Sequence, residues 1–256
     1  MNKTIFMIHG MMAGPWCWEN YKNFFEAKGY RCVTPSLRYH DMDPADAPYL
    51  KLGTTGILDY IEDLEKEILK LDAPPIIMGH SMGGLLAQIL VSRNLAEASV
   101  LLCPAPPYGV MALKPSAVRC FSEVLMTRGF WRKPFRFSFK KTVYSCLHLM
   151  PEEDQKEAYG KLVYESGRAA FEVGLWFLDN KKASRVNPEE VKCPLLVISG
   201  KEDRIIPASV VKKVANRYKS VSTYKEFDNH AHWVIGEPGW EEIAESIHKW
   251  LGANVD

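Results

Sequence analysis

Short apolar runs alternate with longer amphipathic stretches along most of the chain. Mainly apolar runs of four to six residues predict buried strands at 4–8, 75–78, 98–103 and 195–199, and two further strands are predicted at 30–34 and 222–227. The amphipathic stretches have apolar side chains at helical spacing and predict helices at 16–28, 57–71, 83–91, 208–218 and 240–251. Strands that alternate with helices in this way predict a doubly wound, mostly parallel α/β sheet of about six strands with right-handed crossovers.

The alternation stops after the fourth predicted strand. Four residues, Pro104 to Pro107, end that strand, and aromatic-rich helical stretches follow as far as about Pro188. The regular pattern resumes with the fifth strand. We therefore predict a core domain made of residues 1–104 and 189–256, with a helical cap, residues 105–188, inserted after the fourth strand.

The pentapeptide Gly79-His80-Ser81-Met82-Gly83 joins the third predicted strand to a packed helix. In this strand, turn and helix context, the G-x-S-x-G spacing lifts the Ser81 hydroxyl clear of the sheet, beside the outward-pointing N–H groups of a helix N-terminus. So tight a turn needs glycine at 79 and 83, because Cβ atoms there would collide with the neighbouring backbone. Ser81 is the predicted nucleophile.

A serine nucleophile needs a base and an acid that orients the base, and the loops after the fifth and sixth strands offer both. Asp203 is the favoured acid, with Glu202 as a rival beside it. Asp228 is a second rival, but it lies too close along the chain to the candidate histidines to reach the far ring nitrogen. Ligands of such a sheet collect at the carboxyl ends of the strands, where these loops meet.

Two histidines, His230 and His232, follow the sixth strand. Their spacing of two places them on opposite sides of an extended backbone, so at most one faces Ser81. The N–H of Met82, directly after the nucleophile, is one candidate donor to an oxyanion. The second is the N–H of Met11, in the loop after the first strand, where His9 is expected to be a core histidine that supports the loop.

Composition narrows the range of partners. Lys and Arg total 32 against 31 Asp and Glu, a formal net charge of +1, which argues against a nucleic-acid partner. The six cysteines show no paired spacing and are expected to be free core thiols of a cytoplasmic protein. No apolar run reaches the roughly 18 residues of a membrane span, so no stable membrane insertion is expected. We expect no cofactor and no metal, since neither a phosphate-binding glycine loop nor a ligand cluster is present.

Several motifs together resemble the α/β-hydrolase superfamily over residues 4–251. They are strand-His-Gly at 4–10, the elbow at 79–83, Gly-x-x-Asp-Arg-x-x-Pro at 200–207, and His232-Trp233 followed by Glu237-Pro238. The chain is most similar to the compact serine esterases, the lipase-like hydrolases and the cofactor-free haloperoxidase-like members. This resemblance implies a fold that lacks the superfamily's first two strands, and it favours His232 over His230 as the base.

Residues 35–41 also resemble the family's Asp-Leu-Arg-Gly-His-Gly loop. The chain departs from that pattern with Ser36 for the aspartate and Tyr39 for the first of its glycines. The resemblance therefore implies only a structural role for Arg38 and His40.

These features predict a serine hydrolase that cleaves carboxylic esters through an acyl-enzyme intermediate, on a small-molecule substrate with an apolar acyl group. Thioesters and lactones pass through the same tetrahedral intermediate and stay open as alternatives. A ligand-binding or signalling module with slow turnover is the alternative from another class. The basic, aromatic stretch 128–141 is expected either to pack on the core or to contact substrate or membrane, and the oligomeric state is open.

Overall fold

The computed structural model describes residues 3–112 and 114–255. The strands are β1 (Thr4–Ile8), β2 (Arg31–Val33), β3 (Ile76–His80), β4 (Ala98–Leu102), β5 (Pro134–Phe135), β6 (Glu165–Ser166), β7 (Leu195–Gly200) and β8 (Ser222–Phe227). The α-helices are α1 (Glu19–Ala27), α2 (Ile57–Ile68), α3 (Met82–Ser92), α4 (Pro115–Cys120), α5 (Ser122–Leu125), α6 (Phe139–Thr142), α7 (Glu152–Lys161), α8 (Gly167–Gly174), α9 (Ala208–Arg217) and α10 (Trp240–Asn254). Short 3-10 turns lie at Pro15–Trp18, Leu50–Thr54, Phe130–Arg132, Trp176–Leu178 and Pro188–Glu190, and a π-turn at Val143–Leu147.

Six strands form one sheet in the order β2-β1-β3-β4-β7-β8, and every neighbouring pair is parallel. The predicted parallel α/β sheet is therefore confirmed. The part of the chain that the structure describes contains no helix long and apolar enough to cross a membrane.

The four central strands, β1, β3, β4 and β7, are buried on both faces of the sheet, and successive side chains point to opposite faces. Phe6 and Ile8 pack on one side with helices α2, α3 and α9. Ile5 and Met7 pack on the other side with α1 and α10. This two-sided burial explains why the four central strands appear in the sequence as mainly apolar runs.

Helix bounds differ from the predicted ones mainly near chain reversals. The predicted helix 16–28 is a 3-10 turn at Pro15–Trp18 followed by α1, and the turn brings Trp18 into full burial. The predicted helix 57–71 ends at Ile68.

The segment between β4 and β7 contains helices α4 to α8, as the aromatic-rich pattern predicted, and in addition the two-residue antiparallel pair β5 and β6. In the basic stretch 128–141, Phe130 and Phe137 are buried while Trp131 is exposed. The boundaries of a separate cap at 105 and 188 stay a prediction.

Candidate active site

Ser81 occupies a sharp turn between β3 and α3. Its φ of 55° and ψ of −120° lie where residues with a side chain rarely settle, so the surrounding structure must hold it there. The Ser81 N–H donates to Leu102 O (3.0 Å), and its carbonyl accepts from Ala105 N (2.8 Å), which ties both sides of the turn to the end of β4. A Cβ on Gly83 would overlap the carbonyl of Ile8, which explains the glycine.

The structure brings Ser81, His232 and Asp203 into one chain of hydrogen bonds. His232 Nε2 lies 2.9 Å from Ser81 Oγ, and His232 Nδ1 lies 2.7 Å from Asp203 Oδ2. Because a carboxylate can only accept, Nδ1 carries the proton and Nε2 is free to accept from the serine hydroxyl. All three groups follow the carboxyl ends of parallel strands, β3, β7 and β8.

Asp203 is fixed by backbone donors on its other oxygen. Its Oδ1 accepts from the N–H groups of Ile205 and Ile206, each at 2.8 Å, and its side chain is fully buried. The rival acids face elsewhere: Glu202 is exposed, and Asp228 pairs with Lys201 at the surface (2.8 Å).

His230 points away from Ser81. Its Nδ1 lies 3.0 Å from Glu237 Oε1, which also accepts from the N–H of Ala231 (2.8 Å). The alternation of side chains along an extended backbone thus separates the two histidines, one toward Ser81 and one toward the buried Glu237. The sequence indicated Glu237 only as part of the motif with Pro238 and gave no sign of its contact with His230.

His80 holds the backbone of His232 through a hydrogen bond. Its Nε2–H donates to the carbonyl of His232 (2.7 Å), and the two ring centroids are 4.9 Å apart. Burial, and after it the neighbouring His232, lowers the pKa of His80 to about 3. His80 is therefore a neutral donor at ordinary pH. Nothing in the sequence beyond its place in the elbow indicated this contact.

Met11 and Met82 both border the cavity at Ser81. Among the described hydrogen bonds, neither of their N–H groups donates to a protein acceptor. The peptide unit that carries the Met11 N–H is held from its other side, because Gly10 O accepts from His9 Nδ1 (2.9 Å) and from the N–H of Ala13 (3.4 Å). In a trans peptide the N–H points opposite to the carbonyl, so these bonds fix its direction.

Two cavities meet at Ser81. The larger one, about 110 Å³, is bounded by Ser81 and otherwise by apolar side chains and glycine from the elbow, from α4, α5 and α8, and from the loop after β7. The smaller one, about 40 Å³, is lined by His80, His232 and Trp233 and reaches Phe137 and Cys146. Of the two, only the smaller contacts His232.

Among the described residues, one group of metal-binding atoms lies close together: Cys103, Asp203 and His232. Its donors are already engaged, since the carboxylate of Asp203 and Nδ1 of His232 bind each other. Burial, followed by the Asp203 carboxylate, raises the pKa of the Cys103 thiol well above its usual range. The Cys103 thiol donates to the carbonyl of Ala231 (3.7 Å), so all three side chains already have protein partners.

The fold and this arrangement define a class, an α/β sheet protein with serine at a strand-to-helix elbow and a histidine–carboxylate pair beyond it. A family model described as the alpha/beta hydrolase family matches residues 5–245. The chain therefore belongs to the alpha/beta hydrolase family, which confirms the resemblance drawn from its motifs.

Two plant methylesterases match shorter parts of the chain than the family model does. Methylesterase 1 of Arabidopsis thaliana is 30% identical over 102 residues, 37% of this chain and 35% of that protein. Methylesterase 8 of the same plant is 28% identical over 167 residues, 60% of this chain and 58% of that protein. The chain thus spans about a third and about three-fifths of the length of these two relatives.

Among solved structures, the Paleococcus ferrophilus monoacylglycerol lipase superposes with a TM-score of 0.71 at 22% identity. The match covers 98% of this chain and 94% of the lipase. At this identity the likeness shows the fold.

The neutral state of His80 predicts a measurable pH dependence of stability. Below pH 6.5, its ordinary pKa, His80 takes up a proton in the unfolded chain but not in the folded protein. The free energy of unfolding therefore decreases as the pH is lowered. Between about pH 7.5 and 5.5 this contribution is about 1.4 kcal/mol. Urea unfolding of His80→Gln at both pH values should show a pH-dependent loss smaller than the wild-type loss by about this amount. An equal loss in both proteins would contradict the account.

Proposed function

We propose that this chain is a serine hydrolase that cleaves carboxylic esters through an acyl-enzyme intermediate. The observation that carries the proposal is the continuous hydrogen-bonded chain from Ser81 Oγ through His232 to the buried Asp203, which opens onto an apolar cavity. An unbroken chain of this kind supports turnover over a binding or signalling role, for which the hydroxyl would need no base.

The proposed reaction begins when Ser81 Oγ attacks the ester carbonyl while His232 Nε2 takes its proton. The Met11 and Met82 N–H groups, which have no acceptor among the described residues, stabilise the resulting oxyanion. As the C–O bond breaks, His232 returns the proton to the departing alcohol. Water, deprotonated in turn by His232, then attacks the acyl-enzyme. As the bond to Ser81 Oγ breaks, His232 returns this proton to Oγ, and the acid is released. Asp203 stabilises the imidazolium in both halves.

The larger cavity supports an apolar acyl group as the substrate's acid portion. Within the described part of the chain no charged side chain borders it, and its walls from α4, α5 and α8 are aliphatic or aromatic apart from glycine. A charged or strongly polar acyl group would lose its hydration there without a compensating partner. Thioesters and lactones of the same acids would pass through the same intermediate.

The smaller cavity supports a small alcohol portion. His232 must protonate the leaving oxygen, so the alcohol has to leave on the side that His232 borders, which is the smaller cavity. A volume of about 40 Å³ holds roughly three waters, or an alcohol of one or two carbons. The names of the two plant relatives, both methylesterases, agree with this size.

We also propose that residues 105–188 form a cap over a core of residues 1–104 and 189–256. The contribution of α4, α5 and α8 to the larger cavity supports this division. All six cysteines are free thiols, which supports the reducing cytoplasm as the compartment.

Two series of esters test the cavity assignment. At a fixed methyl alcohol, kcat/KM should rise several-fold for each methylene added to a short acyl chain, because each one buries apolar surface worth about 0.8 kcal/mol. At a fixed acyl chain, extending the alcohol from ethyl to hexyl should lower kcat/KM by about tenfold or more, since the smaller cavity is full. Acceptance of long alcohols together with rejection of long acyl chains would reverse the assignment.

Three variants test the proposed roles on a preferred methyl ester. Ser81→Ala should abolish detectable turnover, and His232→Ala should lower kcat by roughly 10⁴-fold or more. His230→Ala is the matched control, because this histidine contacts Glu237 instead of Ser81. It should keep kcat within about threefold, although it should lower stability. Residual activity of Ser81→Ala within tenfold of wild type would remove Ser81 as the nucleophile.

A further inference from the structure

A carboxylate from the inserted segment is buried among groups of the core. Glu165, on β6, is fully buried and each of its oxygens accepts a backbone N–H. Oε2 accepts from the N–H of Met12 (3.2 Å), and Oε1 accepts from the N–H of Ser166 (2.6 Å) and from the Tyr60 hydroxyl (2.8 Å). His40 Nε2 lies 3.0 Å from Oε2. The ester-hydrolysis mechanism makes no use of this cluster.

The hydrogen bonds of His40 fix its charge. Its Nδ1 lies 3.1 Å from the carbonyl of Arg38, which can only accept. Its Nε2 faces a carboxylate that already receives three other donors, an environment that favours the ionised carboxylate. Both ring nitrogens therefore donate, which makes His40 an imidazolium paired with Glu165.

The pair lies directly behind the proposed oxyanion loop. Met12, the residue after the proposed donor Met11, has a φ of 62°, a conformation that a side chain disfavours. The Met12 N–H donates to Glu165, while the carbonyl before Met11, Gly10 O, accepts from His9. The His9 ring in turn lies 5.2 Å from the ring of His40. The peptide units on both sides of Met11 are thus anchored to one buried cluster.

We propose that Glu165 is a positioning residue for the oxyanion loop: through the Met12 N–H, and charge-balanced by His40, it holds the Met11 N–H in the direction that an oxyanion requires. This inference rests on the proposed ester hydrolysis. It gives the inserted segment a role in the chemistry as well as in the cavity wall, because the anchor comes from the insertion and the anchored loop from the core.

The charged groups around the pair agree with this assignment. Burial alone would lower the pKa of His40, but the charge and hydrogen bond of Glu165, together with the Arg38 carbonyl and Asp41, outweigh it and raise that pKa. Burial alone would raise the pKa of Glu165, but His40 and the other donors lower it. Asp41 also favours the imidazolium, Tyr60 donates to the carboxylate, and His9 stays neutral, its pKa lowered to about 3 by burial and then by His40. The pair therefore persists between the lowered and the raised pKa.

The substitution Glu165→Gln tests the contact with the Met12 N–H separately from the contact with the Ser166 N–H. Glutamine has one acceptor oxygen where glutamate offers two, so one of the two backbone N–H groups loses its acceptor. Turning the amide nitrogen toward His40 lets the imidazole become neutral, which avoids a buried cation without a counterion. The Met12 N–H then loses its partner. We expect kcat on methyl hexanoate to fall by roughly 10- to 100-fold, as for a displaced oxyanion donor, with KM within about threefold.

Glu172→Gln is the matched control. Glu172 is also a buried glutamate of the insertion that accepts from a core N–H, that of Ile57 (2.7 Å), but it has no bond to residues 10–13. The Glu172→Gln variant should lose stability and keep kcat within about twofold of wild type.

Equal losses of kcat in the two variants would overturn the inference while leaving the proposed function intact. A folded wild-type protein without ester turnover would instead overturn the proposed function, so the two failures are distinguishable.

A second readout does not depend on turnover. Histidine ¹⁵N NMR near neutral pH should show His40 as an imidazolium in the wild type and as neutral in Glu165→Gln, with the signal assigned by its loss in His40→Gln. A neutral His40 in the wild type would overturn the inference.

If Glu165→Gln does not fold, His40→Gln provides the kinetic test. Its amide still donates to Glu165, but without the cation burial raises the pKa of Glu165, so the acid-side fall of kcat should move to higher pH. An unmoved pH profile would contradict the positioning role.

Discussion

The site depends on one steric constraint, the close approach of the Ser81 turn to the end of β1. The backbone of Gly83 lies so near the carbonyls of Ile8 and His9 that no side chain fits between them. This contact places the loop after β1, with the Met11 N–H, against the start of α3, with the Met82 N–H. Both proposed oxyanion donors and the serine hydroxyl therefore follow from one contact between backbones.

Parallel strand pairing completes the arrangement. Since all six strands of the sheet run the same way, the loops after β1, β3, β7 and β8 leave from the same edge. Residues distant in sequence meet there, and Asp203, locked by two backbone N–H groups, holds His232 in the tautomer that accepts from Ser81. The segment between β4 and β7 contributes apolar walls to the larger cavity, and its Glu165 accepts from the Met12 N–H in the loop after β1.

The sheet and most of this constellation were predictable because each rests on local signals. Two-sided burial makes strands visible as apolar runs, and the steric demands of the elbow make Gly79 and Gly83 visible around Ser81. The choice between His230 and His232 needed the family resemblance, because the two-residue spacing separates the side chains without saying which one faces inward. Glu165 and the pairing of β5 with β6 left no pattern in the sequence. Two-residue strands have no period, and the partners of Glu165 other than the adjacent Ser166 lie more than a hundred residues away.

The most direct test of the central claim is covalent labelling of the folded protein with a fluorophosphonate, followed by mass spectrometry of its peptides. We expect one phosphonyl adduct, on Ser81. It should be absent from Ser81→Ala and should form much more slowly in His232→Ala, because this reagent reacts with an activated serine beside an oxyanion site. An adduct on another residue, or a folded wild-type protein that stays unlabelled, would contradict the claim that Ser81 is an activated nucleophile.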